Sequence, residues 1–301
     1  MKHGFIMGHF QEKREYSRGY AKINLTLDVG PRRDDGFHEV SMIMQTIRLW
    51  DDIWLTITDG SEVTMDCNIP FLGADDRNIA YRAALLMRER FGLTGGLHIH
   101  MEKRIPIAAG LAGGSADTAA VIKGMNRLYG LGLKNSQMMQ IGQELGSDVP
   151  FCIVGGTCFA RGRGEIIQRL KAPMPFAYVV LVKPPFGIST PWSYQMFDKQ
   201  VITRRPDEPA MEQAIVSGDL DAVGREMVNL LEPAALEKFP ILIWLKERLK
   251  SHGAQGVMMS GSGPTVYALF REKKTAVEAL KDLRSVCSKR YQVLFSQILD
   301  Q

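Results

Sequence analysis

A chain of 301 residues, 45% hydrophobic and 23% charged, is long enough for two domains with ordinary cores and too apolar for disorder. Its formal charge of +4 without an extended basic run points to anionic small molecules over nucleic acid, and its longest apolar run, 239–245, is far short of the roughly 18 residues a membrane span needs. Cys67, Cys152, Cys158 and Cys287 have neither C-x-x-C spacing nor histidines at ligand spacing, which excludes a disulfide framework and a cysteine metal site and leaves the reduced thiols of a cytoplasmic protein.

Residues 1–15 are interrupted by His, Gly and charge, lack an apolar stretch of signal-peptide length, and read as an extension. Alternation over 18–28 predicts a strand with Ala21, Ile23, Leu25 and Leu27 on its core face and Lys22, Asn24 and Thr26 on the other. Lys22 and Asn24 then stand about 7 Å apart along the strand. On its own Lys22 is equally a solvated strand lysine. More strands are predicted over 41–49, 53–58 and 62–67, a helix over 78–91 beginning at Asn78, and a strand over 96–103 ending in Lys103.

The run PIAAGLAGGSADTAA follows, a glycine-rich loop opening into an alanine-rich helix predicted to start at Ser115. Gly110, Gly113 and Gly114 can turn through positive φ and bring backbone N–H groups to an anion, at the place where the helix points its positive end. No Gly-Lys-Ser/Thr closes the loop and its spacing misses G-x-G-x-x-G, so it is neither a Walker A loop nor a dinucleotide fingerprint. Pro106, Ile107, Ala108, Ala109, Gly110, Leu111, Ala112, Gly113, Gly114, Ser115 and Ala116 are therefore assigned to a phosphate cradle. A flexible turn capped by Ser115 is the bland alternative.

Helices are predicted over 115–129 and 136–145, after which Gly146-Ser147-Asp148-Val149-Pro150 holds Asp148 in a constrained loop between a helix end and a strand. Alone, Asp148 is also a turn aspartate bonding its own backbone. A second β region over 151–170 leads to Lys-Ala-Pro-Met-Pro at 171–175, taken as the boundary between domains 1–172 and 173–301. Beyond it come a strand over 176–183, helices within 191–251, and the order strand, Ser260-Gly261-Ser262-Gly263, strand, helix, strand to residue 299. The alternation of β and helical blocks suggests an α+β fold. The Ser-Gly-Ser-Gly turn either offers backbone donors to a ligand or is an ordinary hairpin.

Four segments together resemble the GHMP kinases, named for galactokinase, homoserine kinase, mevalonate kinase and phosphomevalonate kinase. They are the glycine loop, AKINLTLDVGPRRDDGFHE at 21–39, GSDVPF at 146–151 and GVMMSGSGPTVYALF at 256–270, and the resemblance runs from about residue 16 to the end. It implies a two-domain GHMP kinase fold, with an N-terminal domain like ribosomal protein S5 domain 2, a ferredoxin-like C-terminal domain, and an active site in the cleft between them. It further implies ATP-dependent phosphorylation of the 2-hydroxyl of 4-diphosphocytidyl-2-C-methyl-D-erythritol, a small-molecule substrate of non-mevalonate isoprenoid synthesis, by a monomer or weak homodimer without nucleic acid or membrane.

In this resemblance Lys22 and Asp148 match the catalytic pair. The aspartate accepts the proton of the attacking hydroxyl, while the lysine orients that hydroxyl and offsets developing charge. A loose transition state makes positioning and electrostatics outweigh the basicity of Asp148, which can act chiefly as an orienting group. Magnesium would be held by ATP phosphates and water, with Ser115 as a candidate ligand. Asn78 and Lys103 match positions near the adenine, although alone they are a helix cap and an exposed lysine. Ala112 stands where many relatives carry glycine and is tolerated unless its φ is positive. On the substrate side, Phe37 and Tyr194 would sandwich the cytosine, His38 would read its edge, and Asn24, Thr190, Gly261, Ser262 and Gly263 would complete the site. Most relatives have Tyr at the place of Phe37. Two other readings stay open, a kinase of homoserine or mevalonate type and a non-enzymatic RNA-binding protein.

Overall fold

The structure, a computed structural model, describes residues 13–73 and 75–300, so the extension expected over 1–15 lies outside the described residues as far as residue 12. Arg14 and Glu15 are not part of an extension; they open the first strand, opposite Thr56 and Leu55. In chain order the first half comprises β1 (Arg14–Arg32), β2 (His38–Thr58), β3 (Val63–Cys67), α1 (Ile79–Phe91), β4 (Gly96–Glu102), α2 (Gly113–Leu128), α3 (Asn135–Gln143), α4 (Val149–Val154), β5 (Thr157–Arg161) and β6 (Ile166–Arg169). The second half comprises β7 (Tyr178–Lys183), α5 (Thr190–Phe197), α6 (Glu208–Val216), α7 (Leu220–Glu226), β8 (Val228–Asn229), α8 (Glu232–Lys238), α9 (Ile241–Ser251), β9 (Gly256–Met259), β10 (Val266–Phe270), α10 (Lys273–Val286) and β11 (Gln292–Gln297).

The first sheet runs β3-β4-β2-β1-β8, and the β5–β6 hairpin joins the half of β2 that β4 leaves free. As the alternation requires, Ala21, Ile23 and Leu25 are buried; Lys22, Asn24 and Thr26 are buried as well, so β1 is covered on both faces. A cation in such a strand needs partners. The register of β1 against β2 slips between Tyr20 and Lys22. One strand replaces the two expected over 41–49 and 53–58, because the carboxylates of Asp51 and Asp52, which read as a break, find cationic and backbone partners and need not turn to water. Helix α2 lies directly on β1 where Gly19 has no side chain; a Cβ there would stand 2.7 Å from the Ala116 carbonyl.

Two further expectations are corrected. Residues 149–154 form α4, not the start of a β region, because Pro150 sits in a first helical turn, where its missing N–H costs nothing. The pair Val228–Asn229, expected among the helices of the second domain, returns to the first sheet and lies parallel to β1 opposite Thr26 and Leu27. The second sheet, β11-β7-β10-β9, is antiparallel throughout. Its Val180, Val182 and Ala268 pack with Leu245, Leu249, Ala276 and Leu283 of α9 and α10. Its Leu181, Tyr267 and Leu269 join Ile23, Leu25 and Ile43 of the first sheet in a shared core. Within that core the buried Tyr267 hydroxyl donates to the backbone oxygen of Asn24 at 2.6 Å, tying the second sheet to β1. Among the described residues no helix is long and apolar enough to cross a membrane.

Candidate active site

A cleft of about 880 Å³ opens between the two sheets, and the sequence-predicted site residues line it with two exceptions. Asn24 lies beneath it and holds Lys22, and Ala116 is buried against β1. The glycine loop forms the floor. Of its three glycines only Gly110 has positive φ, +75°; Gly113 and Gly114 are already the first residues of α2. The left-handed turns fall instead on Ala108, at φ 50°, and on Ala112, at φ 56°, so the condition under which an alanine is tolerated at 112 is not met. Each such residue costs roughly 1–2 kcal/mol that the surrounding loop must outweigh.

Ala112 is also the N-cap of α2, which displaces Ser115 from that role and leaves the first turn with no side chain on its N–H groups. Uncapped donors at the positive end of a 16-residue helix are what a phosphate requires. Gly113 lets the start of α2 settle on the floor, since a Cβ there would come within 3.1 Å of the Ile105 side chain and 3.6 Å of Lys103 Nζ. Gly110 serves the opposite lobe. Its missing Cβ would lie 2.0 Å from the Ser260 carbonyl, and Ser260 Oγ donates to the Gly110 carbonyl at 3.0 Å.

Lys22 and Asp148 meet at the edge of this floor. The ammonium donates to Asn24 Oδ1 at 2.7 Å and stands 3.8 Å from Asp148 Oδ2. The lysine side chain is 5% exposed and the carboxylate 31%, so the cation is fixed from below while the aspartate faces the open cleft. The backbone N–H of Lys22 donates to the Leu111 carbonyl at 3.2 Å, which locks β1 to the glycine loop. Asp148 is the N-cap residue of α4 and makes no capping bond with its side chain, which leaves that carboxylate free for other work.

Lys103 is not the exposed lysine of the bland reading. Its ammonium is buried and donates at 2.5 Å both to Asp51 Oδ2 and to Asp117 Oδ2, beneath Gly113. Asp51 also accepts from the Arg104 and Ile105 backbone N–H groups, whereas Asp117 Oδ1 is buried without a hydrogen-bond partner. Burial raises the Asp117 pKa to about 8, with Asp51 adding to the rise and Lys103 opposing it. Neither carboxylate was assigned from the sequence; the available signal was acidic residues in an apolar strand and in an alanine-rich helix. Asn78 caps α1, accepting from the Ala80 N–H at 3.0 Å, and lines the cleft at the same time.

At the other end of the cleft, His38 is buried and its Nε2 is 2.7 Å from Asp198 Oδ1. Its ring stacks on Tyr194 at 5.2 Å and 20° and meets the edge of Phe197 at 5.9 Å. One face of Tyr194 is thus taken by His38. Phe37 is 55% exposed, with the Arg163 guanidinium 5.3 Å from its ring, so it is not a core aromatic. Burial, assisted by the Asp148 carboxylate, pushes the Tyr194 hydroxyl up to about 12 and keeps it a neutral donor. Thr190 Oγ1 and Ser262 Oγ are 3.0 Å apart and close the second-lobe side. Among the described residues no group of three or more His, Cys, Asp or Glu side chains is placed to hold a metal. Arg163 and Asp198 are site neighbours that the sequence reading missed.

Comparison with known proteins identifies the family. The descriptions "GHMP kinases N terminal domain" and "GHMP kinases C terminal" match residues 78–156 and 211–289. The chain is 47% identical over 253 residues to a 4-diphosphocytidyl-2-C-methyl-D-erythritol kinase of Brevibacillus brevis, covering 84% of this chain and 86% of that one. It is 44% identical over 273 residues to the protein of the same name from Exiguobacterium sibiricum, covering 91% and 95%. A crystal structure of 4-(cytidine 5'-diphospho)-2C-methyl-D-erythritol kinase superposes with a TM-score of 0.80 at 31% identity, covering 95% of this chain and all of that one.

Proposed function

The chain belongs to the GHMP kinases, and within them to the 4-diphosphocytidyl-2-C-methyl-D-erythritol kinases, and from that membership we propose how its residues carry out the reaction. The enzyme phosphorylates the 2-hydroxyl of 4-diphosphocytidyl-2-C-methyl-D-erythritol, giving the 2-phosphate and ADP, in the non-mevalonate route to isoprenoid precursors. The observation that carries the assignment of roles is the Lys22 ammonium, fixed by Asn24 and 3.8 Å from Asp148 at the edge of the glycine loop.

Asp148 takes the proton as the 2-hydroxyl oxygen bonds to the γ-phosphorus and the bond to the ADP oxygen breaks. Lys22 orients that hydroxyl and offsets charge on the transferring group. The uncapped first turn of α2 and the strained loop before it hold the ATP phosphates, and ATP supplies the phosphoryl group. Asn78 lies toward the adenine, with the buried Lys103 supporting the floor there. Magnesium would be held by the ATP phosphates and water, with the Ser115 hydroxyl, which lines the cleft, as its protein ligand. Phe37 and the free face of Tyr194 receive the cytosine, His38 held by Asp198 reads its edge, and Thr190 with Gly261, Ser262 and Gly263 faces the diphosphate. The enzyme acts on small molecules in the cytoplasm as a monomer or weak homodimer.

The test is phosphoryl transfer by the purified chain to the cytidylyl substrate, homoserine and mevalonate in parallel. Only the first should be accepted. Asp148→Asn and Lys22→Ala should each lower kcat by orders of magnitude, without additivity, while ATP binding is largely retained. A higher kcat/KM with homoserine or mevalonate, or near wild-type turnover in both single variants and the double, would overturn the reading.

A further inference from the structure

The Ser260–Gly263 turn reaches the cleft from the second lobe, but what fixes it there comes from β8. Asn229 is buried, and its carboxamide uses both N–H donors and its oxygen, three of its four hydrogen-bonding positions. Its Nδ2 donates to the Met259 carbonyl at 2.9 Å and to the Gly261 carbonyl at 2.8 Å, and its Oδ1 accepts from the Leu231 N–H at 2.9 Å. Glu232 grips the same place from the other side, accepting from the Met259 N–H at 2.8 Å while paired with Lys246 at 2.6 Å. The backbone around Asn229 pairs with Leu27, and Leu230 N–H donates to the Leu27 carbonyl at 3.0 Å, on the strand that carries Lys22. One residue therefore joins the catalytic strand, through its backbone, to the second-lobe turn, through its side chain.

The clearances at the turn make that span matter. A Cβ at Gly261 would be 3.1 Å from the Gly110 carbonyl and 3.2 Å from Lys22 Nζ, so only glycine fits comfortably between the glycine loop and the catalytic ammonium, and a shift of the turn is felt by both or draws its N–H groups out of the cleft. Neither neighbour can absorb the shift, because Ser260 is already bonded to Gly110 and Lys22 to Asn24. We infer that Asn229 is a positioning residue for phosphoryl transfer, acting through the Gly261 carbonyl to hold the second-lobe turn in register with Lys22 and the phosphate loop. This inference rests on the kinase reading of the same cleft. An aliphatic residue would leave two carbonyls without their donor, and an aspartate of equal size would set a carboxylate against them.

Asn229→Ala and Asn229→Asp are compared with Leu245→Ala, a deletion in the second-lobe core away from the cleft, at a temperature well below all three melting points. Both Asn229 variants should lower kcat tenfold or more with the dissociation constant for ATP within threefold of wild type, whereas Leu245→Ala should lose thermal stability and keep its kcat. Hydrogen–deuterium exchange should rise in the peptide spanning 256–270 of the Asn229 variants and stay as in wild type in β7 and β11. If the Asn229 variants do not fold, Glu232→Gln loosens only the Met259 end and should lower kcat threefold or more. Folded Asn229 variants with kcat within threefold of wild type, Glu232→Gln at wild-type kcat when it alone folds, or an equal kcat loss in Leu245→Ala would overturn the inference. If wild type itself transferred no phosphoryl group, the kinase reading would fail while the exchange data still judged the joint.

Discussion

Two carboxylates and one ammonium buried together beneath the glycine loop cannot all keep their aqueous charges. With Asp51 anchored by backbone N–H groups and Lys103 shared, the proton belongs on Asp117, whose second oxygen has no other partner. Its pKa lies higher in the folded chain than in the unfolded one, so the native state retains a proton the unfolded state releases. The stability tied to that proton is complete below the ordinary carboxylate range and is lost as the pH rises through about 8. The melting temperature should therefore fall between pH 6 and 9, and Asp117→Asn, which keeps the neutral form at every pH, should fall less steeply. Thermal melts across that range check it; parallel curves would refute it. Lys22 and Asp148 were legible only through the resemblance to the GHMP kinases, because alternation and turn chemistry alone read them as a solvated strand lysine and a turn aspartate. The pairing of Lys103 with Asp51 and Asp117 was not, because it joins residues far apart in sequence and a single-strand period carries no record of what lies opposite. Positive φ at Ala112 is likewise a property of the assembled loop, imposed against the preference of the residue.

At the level of elements, α5 and the start of β2 stack Tyr194 on His38, and Phe37, in the β1–β2 connection, lines the same cleft. Tyr194→Ala should raise KM for the cytidylyl substrate about tenfold or more, the equivalent of a lost stack of about 1–3 kcal/mol, with the KM for ATP nearly unchanged. Phe37→Ala should act in the same direction and Phe37→Tyr only mildly. Tyr194→Ala should be the more severe, since that ring also packs on His38. A rise confined to the KM for ATP would move these aromatics to the adenine. Long segments such as α1, α2, β1 and β4 were readable because each is long enough for its apolar residues to show a helical or strand period. The short α4 was not, since six residues contain too few turns for a helical period to outweigh an apolar run. Nor was β8, two residues whose strand character comes entirely from β1.

Across the whole molecule, the two lobes touch where glycine is compulsory. Gly110→Ala combines a strained φ of +75° with a Cβ 2.0 Å from the Ser260 carbonyl, whereas Gly92→Ala meets the strain alone, at φ +59° with nothing within 4 Å. Gly92→Ala should lose about 1 kcal/mol of stability and keep full turnover. Gly110→Ala should lose more and drop kcat tenfold or more, because the clash pushes the second-lobe turn off the phosphate loop. Denaturant unfolding with steady-state kinetics on both variants separates strain from displacement; equal kcat in the two would show that the lobes need not meet so closely.

The return of Val228 and Asn229 to the first sheet also sets the order in which a growing chain can be completed. A ribosome that has released residues 1–172 has delivered most of the first sheet with the β8 side of β1 still unpaired, and such an edge is a ready template for another nascent chain. It is covered only after α7 has emerged, and Asn229 gains its carbonyl partners later still, when Met259 and Gly261 follow. Truncation at the junction between the sheets would freeze the chain in that unfinished state, so the two halves are made to be translated together and not to be exchanged as separate modules.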